Sequence, residues 1–134
     1  MFKVLVIAYY YPPMGLSGVQ RTLKFTKYLK NFNWEPTVIT VSDTGYFAHD
    51  KSLLKEAEEA GIRILRTGGK DPNSLLAKYG TIKPPHELFR KIFNRISQTI
   101  FVPDNKISWS NQAFKVASEL LNREKFDLIF VTVP

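Results

Sequence analysis

Two periods run along the chain and divide it into elements. Phe2-Lys3-Val4-Leu5-Val6-Ile7-Ala8 is a short, largely apolar run of strand length. From Val19 the spacing becomes helical, with Val19, Leu23, Phe25, Tyr28, Leu29 and Phe32 on the stripe and Arg21, Lys24, Lys27 and Lys30 around it. Ser17 reads as the N-cap, Asn31 and Asn33 mark the end, and Pro36 forbids continuation. Thr37-Val38-Ile39-Thr40-Val41 is β-branched with no clean alternation, the pattern of a parallel strand covered on both faces. Ser42 to Gly45 reads as a turn. Lys51 to Ala60 is helical and Gly61 stops it in the C′ position. Ile62 to Arg66 is a third strand, more polar and so nearer a sheet edge, followed by a loop through Asn73.

The pattern is weaker from Ser74 to Ile107, where Pro84-Pro85 interrupts it. Within that stretch His86 to Phe101 carries Leu88, Phe89, Ile92, Phe93, Ile96, Ile100 and Phe101 on a helical period, with Arg90, Lys91 and Arg95 off the stripe. A last helix has the cleanest period, through Trp109, Ala113, Val116, Ala117, Leu120 and Leu121, and Asp127 to Val133 is an apolar strand. Strands joined by crossover helices form right-handed βαβ units. The pattern therefore predicts an α/β fold, an open, doubly wound parallel sheet of about four strands in the order 3-2-1-4. Its ligand crevice would lie above the carboxyl ends of Ala8 and Val133, at the topological switch point. The alternation is still in progress at Pro134, which reads as part of a longer protein or as a natural half-module.

The 134 residues suit one domain, spanning 1–134, and 44% hydrophobic with 23% charged residues is ordinary globular composition. With no cysteine and only His49 and His86, Cys-ligated and His-based metal sites are disfavoured. No apolar run approaches the roughly 20 residues of a membrane span. The first strand lacks a signal-peptide cleavage pattern, so the expected location is cytoplasmic. The net charge of +7, from 19 basic and 12 acidic residues, favours anionic partners without choosing among them. Nucleic acid is disfavoured because the basic residues are spread along the chain and no binding motif is present.

The chemistry concentrates after the first strand. Tyr9-Tyr10-Tyr11-Pro12-Pro13-Met14-Gly15-Leu16-Ser17-Gly18 joins a buried strand to a helix N-terminus, where backbone N–H groups and the helix dipole favour negative charge. It is not a P-loop, which needs Gly-Lys-Ser/Thr at its end. Nor is it a dinucleotide fingerprint, because an aromatic-Pro-Pro insertion stands where the glycines should begin. Asp43 is taken as turn chemistry, and nicotinamide cofactors are disfavoured.

Tyr10-Tyr11-Pro12-Pro13-x-Gly15-x-x-Gly18-x-x-Arg21 before a helix, then Pro36-Thr37-Val38-Ile39-Thr40, resembles the opening of glycosyltransferase family four. Pro103-Asp104, Trp109 opening a helix and Phe126-Asp127-Leu128-Ile129 extend the likeness to the closing strand. Where that family often has two adjacent glycines, this chain has Leu16-Ser17 between single ones. The resemblance implies the Rossmann-like, acceptor-side N-terminal domain of a GT-B enzyme, with the donor-binding domain following it. It implies sugar transfer from a nucleotide-sugar, the donor being a substrate and no cofactor being needed, to a glycan or lipid-linked acceptor with retention, as in polysaccharide biosynthesis.

On that reading Gly15, Leu16, Ser17, Gly18 and Arg21 approach phosphate or substrate across an interdomain cleft. The basic face of Arg90, Lys91 and Arg95 offers peripheral contact with an anionic membrane surface. Neither histidine falls in a family motif, and no catalytic residue is assigned. Beside it stands a second reading, a non-enzymatic Rossmann-like module that holds an anionic ligand or partner.

Overall fold

The computed structural model describes residues 1–15, 17–42, 49–68 and 107–132, the side chain of Ser108 excepted. In chain order the elements are β1 (Phe2–Ala8), α1 (Ser17–Leu29), a 3-10 turn (Lys30–Phe32), β2 (Trp34–Val41), α2 (Lys51–Glu59), β3 (Arg63–Thr67), α3 (Ile107–Arg123) and β4 (Leu128–Thr132). The sheet runs β3-β2-β1-β4 with every pairing parallel, the α/β order that the pattern predicts. The helical period over 86–101, and with it Arg90, Lys91 and Arg95, lies outside the described residues, as does Asp43.

Local chemistry sets the boundaries. Gly61 adopts φ +64°, and the N–H groups of Gly61 and Ile62 donate to the carbonyls of Glu58 (2.9 Å) and Ala57 (3.3 Å). That is a Schellman closure with Gly61 at C′, as its place after α2 predicts. Ile62 therefore finishes the helix, and β3 begins one residue later than the apolar run suggests. Asp50 caps the other end of α2 by accepting from the Ser52 N–H at 2.9 Å. The Ser52 hydroxyl donates to the same oxygen, and that bond first, with the N–H bond second, holds the Asp50 carboxyl below its usual range.

Two expectations need correction. Ser17 is the first residue of α1 itself, not a cap ahead of a helix at Val19. Pro36 lies within β2, which starts at Trp34, and is not a residue ahead of the strand. Its missing N–H is tolerated because β3 pairs with β2 only from Thr37 onward, so Pro36 has just β1 beside it.

Paired residues of a parallel ladder share a face of the sheet, so the register assigns the two layers. Val6, Val38, Ile64 and Phe130 are aligned on one face. The ring of Phe130 lies 4.9 Å from that of Phe25, which puts α1 on that side. Glu56 of α2 accepts from Lys24 at 2.5 Å and Lys27 at 2.7 Å of α1, making the two helices neighbours in one layer.

The opposite face carries α3. Glu124, just past its end, bonds Arg63 at 2.7 Å and lies 3.7 Å from Lys3, both residues of that face at the amino end of the sheet. Trp109, in its first turn, meets Tyr9 at the carboxyl end. The core is closed between the layers, with Val4, Leu5, Val6, Val38, Ile39, Leu23 and Ala57 buried. Among the described residues no helix is long and apolar enough to cross a membrane.

Candidate functional site

The segment from Tyr9 to Gly15 leaves β1 at the carboxyl end of the sheet and is held from below. The Thr40 hydroxyl donates to the Tyr9 carbonyl at 3.0 Å. The Arg66 guanidinium donates to the Pro12 carbonyl at 2.5 Å and to the Val41 carbonyl at 3.4 Å. The Asp50 N–H donates to the Pro13 carbonyl at 2.7 Å, and Met14 pairs with His49 in a single antiparallel bridge. The loop is thereby tied to β2, to β3 and to the start of α2. Its Pro12-Pro13 peptide is cis.

The three tyrosines separate into roles. Tyr11 is fully buried, and its hydroxyl meets the Thr26 hydroxyl at 2.8 Å, anchoring the loop beneath α1. Thr26 in turn has the carbonyls of Leu23 and Thr22 within reach, at 2.9 and 3.1 Å. Burial pushes the Tyr11 phenol up to about 12, against a smaller lowering by its Thr26 bond and by Arg66. Tyr9 is buried edge-on against Trp109 with ring centres 5.1 Å apart, and Tyr10, half-buried, stands edge-on to Tyr9 at 5.1 Å. Packing therefore claims Tyr9 and Tyr11.

Above this base the first turn of α1 is open. Gly15 is buried, whereas Ser17, Gly18 and Arg21 are exposed, and Leu16 lies outside the described residues. The first N–H groups of a helix have no partner within it, so those at the start of α1 are available to an incoming acceptor. Gly18 is informative. Among the described residues a β-carbon there meets nothing within 4 Å, and its φ is not in the left-handed range, so neither their packing nor the backbone geometry requires glycine. Arg21 follows one turn later on the same helix side and has no ion-pair partner among the described residues. Lys24 and Lys27 are engaged by Glu56, which holds its own carboxyl below the usual range chiefly through the Lys24 bond. Gly18, Ser17 and Arg21 thus share the open head of one helix, able to receive a negatively charged oxygen but offering no nucleophile paired with a base.

Sequence reasoning passed over Arg66, Thr40 and Thr26, which shape the site without facing it. Arg66 was legible only as a charge within a strand. That it grips Pro12 depends on β3 lying two strands from β1, a relation with no trace in local spacing. The chain matches no protein-family model, and neither curated proteins nor solved structures gave a match.

Proposed function

We propose that this chain is the acceptor-side domain of a nucleotide-sugar-dependent, retaining glycosyltransferase of the GT-B architecture. The observation that carries the reading is the open head of α1, where Gly18 is glycine although none of the described residues packs against the place of a β-carbon. A glycine without a structural reason leaves the N–H groups of the first turn accessible to a bulky ligand. The aromatic-Pro-Pro loop and Arg21 stand in the order that the family resemblance requires.

In such an enzyme the leaving group is a nucleoside diphosphate, and negative charge grows on its phosphate as the glycosidic bond breaks. N–H groups at Ser17 and Gly18 and the Arg21 guanidinium would stabilise that charge. Transfer requires a second wall that grips the donor, which this reading assigns to the family's donor-binding domain. Peripheral contact with an anionic membrane through Arg90, Lys91 and Arg95 would suit a lipid-linked acceptor.

The test is sugar transfer from nucleotide-sugar donors by the full-length protein, with and without Gly18→Trp. The new β-carbon meets none of the described residues within 4 Å, so folding is expected to be retained while transfer falls about tenfold or more. Undiminished transfer removes the α1 head from the reaction. Binding of nucleotide-sugar with no turnover by the full-length protein favours the second reading, an anion-binding module without catalysis.

A further inference from the structure

Among the described residues, two polar atoms on the other side of the sheet are buried without a partner. They are the Thr67 hydroxyl and the Trp109 indole N–H, on residues 7% and 8% exposed. Both lie at the carboxyl end of the sheet, on the face that carries α3. Thr67 is the last residue of β3 and faces the α3 layer by register, since Arg63, four residues before it on the same face, reaches Glu124 at the far end of α3. Gly68 follows it, and a β-carbon at that position would lie 3.5 Å from the Gln112 Oε1 of α3. Trp109 precedes Gln112 by one turn on the same side of the helix, with its ring against Tyr9. The head of α3, a helix of 17 residues with no acidic residue in its first turn, therefore stands over the carboxyl ends of β1 and β3.

The chemistry of the orphans defines what they lack. An indole N–H only donates, and a hydroxyl donates readily, so both call for an acceptor oxygen. Leaving them dry is unfavourable for each. The first N–H groups of α3 have no partner within the helix and add a field that favours negative charge, and the half-buried Gln112 amide, whose Oε1 is the atom nearest Gly68, also carries N–H donors. An excess of positive charge over the whole chain, +7, works in the same direction.

We propose that Thr67, Trp109, Gln112 and the head of α3 form a second oxyanion site, built for a phosphate group. It lies on the face opposite the α1 head and does not depend on the glycosyltransferase reading.

The chain contains two tryptophans, which gives the site its own reporter. In a proton–nitrogen spectrum of the labelled full chain, millimolar inorganic phosphate shifts the Trp109 indole signal downfield. That of Trp34, tilted against the Phe2 ring at the amino end of the sheet, stays in place. Thr67→Val, which keeps the shape, weakens phosphate about tenfold, and Gln112→Ala, at a half-buried position, weakens it independently. Gly18→Leu leaves the Trp109 shift intact. The proposal is overturned by an unmoved Trp109 signal, which would mean that water alone satisfies the orphans. It is equally overturned by the same shift in chloride at equal ionic strength, by undiminished affinity in the Thr67 and Gln112 variants, or by loss of the shift in Gly18→Leu, which would put the phosphate at α1.

Discussion

β2 and β4 flank the same strand and are made of similar residues, yet their surroundings differ. Thr37-Val38-Ile39-Thr40-Val41 is buried on both faces, with Val38 and Ile39 at 0% exposure. Leu128-Ile129-Phe130-Val131 is as apolar, yet Leu128 and Ile129 are 49% exposed and Val131 58%. β2 has a strand on each side, the α1–α2 layer over one face and α3 over the other. β4 has β1 on one side, and on the α1 face Phe25 over Phe130. An apolar strand is thus suited to being covered on both faces, but its composition does not say what covers it. The contacts described between β2 and its covers are where the comparison can be broken.

The largest effect is expected inside β2. Ile39→Ala removes a fully buried side chain between the layers and should cost about 2–5 kcal/mol in denaturant unfolding. If it costs no more than the same kind of truncation in β4, the contrast between the strands is wrong. Next comes the anchor of α1. Tyr11→Phe removes the hydroxyl that meets Thr26 and should cost about 1 kcal/mol.

The same change has a signature in alkali. With its phenol raised from 10.0 to about 12 in the folded chain, Tyr11 contributes stability that is fully present below about pH 10 and is lost as pH rises toward 12. Stability measured across that window should fall less steeply in the phenylalanine variant. In β4, Val131→Thr should stay within about 0.5 kcal/mol of the parent, since more than half of that side chain already meets water.

The smallest effect tests the far end of α3. Glu124 ties it to β3 and β1, and the Arg63 bond, with lesser help from Lys3, holds its carboxyl below the usual range. A lowered carboxylate contributes stability above its unfolded value and loses it as pH falls through the folded one. Glu124→Gln should therefore flatten the acid limb of a stability–pH profile slightly, as befits an exposed pair. An unchanged acid limb would mean that the ion pair does not hold α3 in place.

The candidate site was legible in outline. The run Phe2 to Ala8, the small residues before Val19 and the basic stripe of α1 mark a strand, a loop and a helix head by local chemistry alone. Gly61 was readable for the same reason, because a C′ glycine announces a backbone state that other residues avoid. Less legible were the tyrosines. Nothing in Tyr9-Tyr10-Tyr11 distinguishes the ring under α1 from the one against Trp109, since the partners are 15 and 100 residues away. The orphan atoms of Thr67 and Trp109 were invisible, because lacking a partner is a property of surroundings and not of a residue.

By itself the sequence determined the alternation of strand and helix, the parallel sheet in the order 3-2-1-4 and a helix head following β1 at the switch point. Periodicity, capping residues and the handedness of crossovers act over short stretches and leave few other arrangements. Only the tertiary structure decided what covers β2, which tyrosine anchors, that Arg66 holds the loop, and that Gly18 is free of packing demand among the described residues. Those depend on residues distant in the chain meeting across two layers, and burial and hydrogen bonding are fixed by that meeting.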